Sequence, residues 1–202
     1  MVNRNVLDPQ RTGLVVFDML ECYRDKIEPT GAIPRVQQLL AEFRSRQMAV
    51  CFARADHRDD GSDLNRSLAD TDSSYQPYKP DEEQPRHFHS SRDAMASLKE
   101  FDQGPSDYDI PKHRWNAFYQ THLDLSLRSR GVDTIVIVGG STHVGVASTA
   151  YYARDMDYDI VLVEDCCTGF VEQREHFLHK VAPRFARIRT AEQVLQMLAA
   201  TQ

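Results

Sequence analysis

An aspartate, a lysine and a glycine-rich turn are the residues of this chain best placed to do chemistry. Asp18 directly follows the apolar run Leu14-Val15-Val16-Phe17. A carboxylate at the end of a buried strand is partly desolvated, and a group of that kind can donate or accept a proton. A helix cap or a loop residue is the competing reading. Lys112 lies in Asp109-Ile110-Pro111-Lys112-His113-Arg114-Trp115-Asn116-Ala117-Phe118, a short strand or turn with three consecutive cationic or titratable side chains. Alone, that segment reads more often as a solvated turn, with Trp115 and Phe118 in the core. The third place is the segment from Gly139 to Ala150, which follows Ile135-Val136-Ile137-Val138. Its N–H groups at a helix start could hold an oxyanion or a carboxylate, although glycine pairs more commonly serve backbone shape.

Around these lie further candidates. Arg54 and His57 are reasonable anchors for a carboxylate substrate. Ser141 and His143 sit in the glycine turn, and Arg114 and Trp115 follow Lys112. Asp56-His57, with His87 and His89, has the residue types of a metal site, but an exposed loop collects such residues by accident. No metal or other cofactor is assigned. Cys22 is four residues beyond Asp18 and could face the same pocket. A thiol packed as a small apolar group is the better reading.

Some element must bring these segments together. Thr12–Phe17 and 48–53 read as strands buried on both faces, as parallel strands are. The spacing of Ile33, Val36, Leu39, Leu40 and Phe43 predicts a helix over 32–45. A polar excursion from about 56 to 85 follows, with short helices expected over 62–69 and 94–101. Regularity returns near Asp109. Helices are expected over 121–130, capped by Gly131, over 144–154 and over 172–181. Strands are expected at 135–138, 160–163 and 186–188. Thr190-Ala191-Glu192-Gln193 has capping-box spacing and opens a helix through Leu198. Strands alternating with helices predict an α/β fold, a doubly wound three-layer sandwich with a mostly parallel sheet of about six strands. Ligands of such sheets bind beyond the carboxyl ends of the strands. That edge is where Asp18, the segment 54–57 and the segment 139–145 fall.

Bulk properties narrow the function. The chain has 202 residues, enough for one domain, read as spanning 1–202. A net charge of −6 argues against a nucleic-acid partner. No apolar run approaches the length of a membrane span, and no signal leader is evident, so a cytoplasmic protein is expected. The four cysteines, Cys22, Cys51, Cys166 and Cys167, form no CxxC pair and read as reduced thiols. A small-molecule substrate and a closed homodimer or homotetramer are the expected partners.

Taken together, Val15-Val16-Phe17-Asp18-Met19, the Lys112–Phe118 segment and the Gly139–Ala150 segment with Ala153 resemble the isochorismatase-like hydrolase superfamily. The resemblance covers nearly the whole chain and implies a sheet of about six parallel strands. In the cysteine branch of that superfamily an aspartate, a lysine and a nucleophilic cysteine form the triad. By motif these map to Asp18, Lys112 and position 145, where this chain carries Gly145. A cis peptide near Gly140–Ser141, and oxyanion contacts from the N–H groups of Ser141 and Gly145, are further implications. Without a thiol no acyl-enzyme can form at 145.

Isochorismatases proper also lack that cysteine, and their loop resembles His143-Val144-Gly145-Val146. Their lysine segment is matched by Lys112, Arg114, Ala117 and Phe118. They hydrolyse a vinyl ether, with an acid protonating the enol-ether carbon. The resemblance implies that Asp18 is that acid and that Gly145 leaves room for a substrate ring. The match has gaps: Leu20 stands where their motif has glutamine, and Thr142 and Ser148-Thr149-Ala150 look more like the cysteine branch. Two other readings stay open. One is an amide hydrolase using a water activated by Asp18 or His143, or recruiting the Cys22 thiol. The other is an inactive binding protein that keeps the pocket.

Overall fold

In the computed structural model the described residues are 4–58, 62–64 and 95–200. Six strands form one sheet: β1 Thr12–Phe17, β2 Ala49–Ala55, β3 Tyr108–Lys112, β4 Thr134–Gly139, β5 Asp159–Cys167 and β6 Arg187–Arg189. Their order is β3-β2-β1-β4-β5-β6 and every pairing is parallel. β1 and β4 are buried along their full length, which explains their unbroken apolar composition. Chain order reverses between β1 and β4, so a crevice opens at the carboxyl ends of those two neighbours.

Strand alternation divides the core between the two faces. Leu14, Val16, Val50, Phe52, Val136 and Val138 point to one side. There they meet α2 (Ala32–Ser45) and α6 (Ala191–Ala199). Val15, Phe17, Cys51, Ala53, Ile135 and Ile137 point to the other. That side is covered by α3 (Leu123–Arg128), α4 (Ala147–Asp155) and the helical turn Phe177–Val181. The remaining α-helices among the described residues are the single turn α1 (Arg24–Ile27) and α5 (Val171–His176).

Most expected elements are present with shifted ends. β2 runs to Ala55 and β5 to Cys167, beyond the apolar runs that marked them, because pairing continues to Lys112 of β3 and Gly139 of β4. Gly131 adopts φ 74° and ends α3 as expected, its N–H donating to the Arg128 carbonyl at 2.9 Å. Thr190 completes a capping box with Gln193. The helix expected over 94–101 is reduced to one 3-10 turn, Lys99–Phe101. Leu20 and Ser97 form an isolated antiparallel bridge just before it, which takes the backbone out of helical geometry. Of the helix expected over 62–69, residues 62–64 form a turn and the rest lies outside the described residues. The segment expected to be helical over 144–154 begins earlier, with a π-helical turn at Thr142–Val146 that leads into α4. No helix among the described residues is long and apolar enough to cross a membrane.

Candidate active site

Asp18 is held by the end of the sheet. Its N–H donates to the Ala53 carbonyl at 2.9 Å, and its φ of 45° is left-handed. Aspartate tolerates that conformation better than most residues with a Cβ. One carboxylate oxygen, Oδ1, accepts from the Ala55 N–H at 2.8 Å. The other, Oδ2, accepts from Lys112 Nζ at 2.6 Å. Lys112 is the last residue of β3 and pairs in register with Ala55. Its side chain is 4 % exposed, against 13 % for Asp18. An ammonium buried that far needs a partner. Lys112 has two: the Asp18 carboxylate and the face of the Phe17 ring, whose centroid lies 4.4 Å from Nζ.

The glycine turn has steric reasons for its composition. A Cβ on Gly139, at φ 112°, would lie 1.9 Å from the Phe17 carbonyl oxygen. One on Gly140 would lie 2.3 Å from Thr168 Oγ1. Both glycines therefore allow the turn to press against the ends of β1 and β5. The Gly140–Ser141 peptide is cis, as the resemblance implies. Several helix-start N–H groups are already engaged. Thr142 N–H donates to the Thr168 carbonyl at 2.9 Å, and those of Val144 and Val146 donate to the Ser141 carbonyl at 3.2 and 3.3 Å. None of these donors is the Ser141 or Gly145 N–H from which the resemblance implies oxyanion contacts.

Position 145 holds the main departure from expectation. A Cβ built there would sit 2.4 and 2.5 Å from Cε1 and Cζ of Phe17. The space in which a Cβ at 145 would stand is taken by an aromatic side chain of the protein itself, while Gly145 still lines the cavity. Phe17 is the last residue of β1 and points to the face that α4 covers, so strand alternation aims it at the start of that helix. Phe17 went unrecognised as a site residue in the sequence, where it read as one more apolar residue. The signal available was its odd-numbered position beside Val15, which shares its face.

A cavity of about 660 Å³ opens above this floor. Asp18, Lys112, Gly145, Ser141, Arg114 and Trp115 all line it, as does His57. These expected site residues are brought together. Tyr23, Lys26, Tyr119, Ser148, Thr168 and Phe170 also line it and were not singled out. Lys26 sits on α1, a single turn too short to show periodicity. Among the described residues the lining holds three cations, Lys26, Lys112 and Arg114, and one carboxylate, Asp18.

Three expected participants are elsewhere. Arg54 does not line the cavity: its guanidinium donates to both oxygens of Asp109 at 2.8 Å and to Asp56 at 3.1 Å. Alternation along β2 turns it away from Ala53 and Ala55. His143 packs beside Phe170, with ring centroids 6.0 Å apart, and its Nδ1 lies 3.3 Å from Ser141 Oγ. It does not line the cavity, and burial lowers its proton affinity. Cys22 is half-buried and also outside the lining. Burial and the Asp18 charge push its thiol up to about 11, away from a reactive thiolate.

His57 has partners the sequence did not show. Its Nδ1 lies 3.5 Å from Asp63 Oδ1, and His113 Nδ1 lies 3.4 Å from Asp63 Oδ2. These three side chains are of metal-ligating type and their ligand atoms fall within 4.8 Å of one another. They are already engaged: Asp63 Oδ1 accepts from the Arg58 N–H at 3.1 Å, and His113 Nδ1 contacts the Asp56 carbonyl. Burial holds His57 below its ordinary proton affinity, Asp63 opposing. His87 and His89, considered with His57 for a metal, lie outside the described residues.

Comparison with known proteins identifies the scaffold. The Isochorismatase domain family model matches residues 12–193. The isochorismatase family protein YecD of Escherichia coli O157:H7, uncharacterized, is 32% identical over 201 residues, covering 95% of this chain and 98% of its own. The phenazine biosynthesis protein PhzD1 of Pseudomonas aeruginosa is 32% identical over 100 residues, 49% of this chain and 48% of its own. Among solved structures, an isochorismatase family protein from Burkholderia thailandensis superposes with a TM-score of 0.80 at 24% identity. It covers 95% of this chain and 97% of that one, a likeness of fold. With a family model spanning nearly all of its sheet and a relative matched end to end, this chain belongs to the isochorismatase family of hydrolases.

Proposed function

We propose that this hydrolase cleaves a small, carboxylated, unsaturated substrate by proton transfer from Asp18, without a covalent intermediate, and that vinyl-ether hydrolysis is its reaction. The observation that carries this reading is the 2.6 Å contact between Asp18 and buried Lys112 on the wall of a cavity where position 145 offers no nucleophile. That reaction requires the Asp18 carboxyl to carry a proton as substrate binds and to give it to the terminal carbon of the enol ether. Water adds to the resulting oxocarbenium carbon and loses a proton to the Asp18 carboxylate. The hemiketal then collapses to a keto acid and an alcohol. Lys112 stabilises the carboxylate that forms after the first transfer.

The excess of cations in the lining suits an anionic substrate. The aromatic side chains of Tyr23, Trp115, Tyr119 and Phe170 suit a planar, unsaturated one. The amide-hydrolase alternative that recruits Cys22 is disfavoured by a thiol pushed up to about 11 and placed outside the cavity lining. The test is incubation with isochorismate in deuterated buffer. Release of pyruvate carrying one solvent deuteron in its methyl group is expected. No release at high enzyme concentration overturns the vinyl-ether reading.

A further inference from the structure

We propose that Phe17 is a positioning residue that takes the place of a side chain at 145: its ring excludes one there and holds the Lys112 ammonium against Asp18. Three observations meet at this ring. Cε1 and Cζ occupy the space in which a Cβ on residue 145 would fall, at 2.4 and 2.5 Å. Real Cβ atoms do not approach other carbons so closely, so either the ring moves or position 145 stays glycine. The ring face lies 4.4 Å from Lys112 Nζ. The ring is 1 % exposed and packed among the side chains of β2, β4 and α4, which fixes it on its buried side.

The two roles are one geometry. A cation over an aromatic face is attracted to it, and the attraction is larger where water is excluded. Lys112 Nζ is thus held from one side by Phe17 and drawn from another by Asp18 Oδ2. A side chain at 145 would displace the ring toward the cavity and off the ammonium. Glycine at 145 and phenylalanine at 17 are therefore a matched pair, and the pair commits this pocket to proton transfer in place of covalent attack. The steric half stands by itself; the positioning half rests on the acid-catalysis reading above.

The experiment keeps these halves apart. Gly145→Ala is made in the unmodified chain and in Phe17→Val, and Tm is read for all four proteins. In the unmodified background a drop of roughly 3 °C or more is expected. In the Phe17→Val background the same change should cost little. Equal drops in both backgrounds overturn the pairing. The ring contact is read by NMR, as the upfield ring-current shift of the Lys112 ε-methylene protons. That shift should vanish in Phe17→Leu and shrink in Gly145→Ala; a shift unchanged in both overturns the contact. Where turnover is measured, Phe17→Leu should lower kcat about tenfold with KM within twofold. A raised KM at unchanged kcat assigns Phe17 to substrate binding and overturns positioning. Lack of turnover in the unmodified chain removes the acid-catalysis reading and leaves the Tm and NMR results to decide the pair.

Discussion

Asp18→Asn removes the transferable proton and keeps an oxygen for the Ala55 N–H or for Lys112. General acid–base contributions are typically about 10²–10⁴-fold, and a loss of that size in kcat is expected. Asp18→Ala does more, because it removes both the charge and the acceptor oxygen from the buried ammonium, whereas Asn removes only the charge. Breaking a buried pair from one side typically costs about 3–5 kcal/mol. Urea denaturation should show a loss for both variants, larger for Asp18→Ala, where the acceptor is gone as well as the charge. Cys22 gives a contrasting prediction. A thiol raised from 9.0 to about 11 holds on the order of a hundredfold less thiolate at neutral pH. Iodoacetamide should therefore modify it slowly at pH 7 and much faster as pH approaches 11, and activity should survive the modification. At this scale the sequence was legible where a residue's type announces its chemistry, as for Asp18 and Lys112. It was not legible where function is steric. Phe17 and Gly145 are 128 positions apart, the difference between their numbers, and only the pairing of β1 with β4 brings the ring onto the glycine.

Between elements, an arginine ties the turns that follow β1 to the turn that precedes β3. Arg24 on α1 donates to Glu21 at 2.8 Å and to Glu100 at 2.8 Å, Glu100 lying in the 3-10 turn before β3. Hydrogen bonds from Arg24 hold the Glu100 carboxyl down to about 2 and hold Glu21 below its ordinary value. A carboxyl depressed on folding contributes stability above its unfolded value of 4.5, and that contribution fades as pH falls toward 2. The pair is partly exposed, so its contribution is small. Comparing Glu100→Gln with the unmodified chain, the stability gap should be widest above pH 5 and close as pH approaches 2. Element boundaries show why these short turns were hard to read. Apolar periodicity marks α2 and α6, each amphipathic against one sheet face. Where Leu20 to Arg24 meets Ser97 to Glu100, the backbone is instead set by a lone bridge and by arginine contacts, which leave no period in the sequence.

For the whole molecule, the sheet order decides where the site lies. β1 and β4 are adjacent and lead away from the sheet in different directions, so Asp18 at the end of one and the glycine turn at the end of the other face a common crevice. The alternation of apolar strands and amphipathic helices made that arrangement readable before any coordinates. The cavity's contents were less readable. Arg54 looked like an anchor and is spent on Asp109, whereas Lys26 was passed over and lines the cavity. A ligand that binds only the folded form raises stability in proportion to the logarithm of its concentration. A planar dicarboxylate should therefore raise Tm with increasing concentration, and a dication of similar size should not. An equal response to both would remove the electrostatic argument for an anionic substrate.

The most direct measurement of the central claim is the rate of pyruvate release from isochorismate by Asp18→Asn, with its folding verified by circular dichroism, against the unmodified chain. Proton donation by Asp18 predicts a fall of about a hundredfold or more. A variant that is folded and releases pyruvate at the unmodified rate would show that the proton comes from elsewhere.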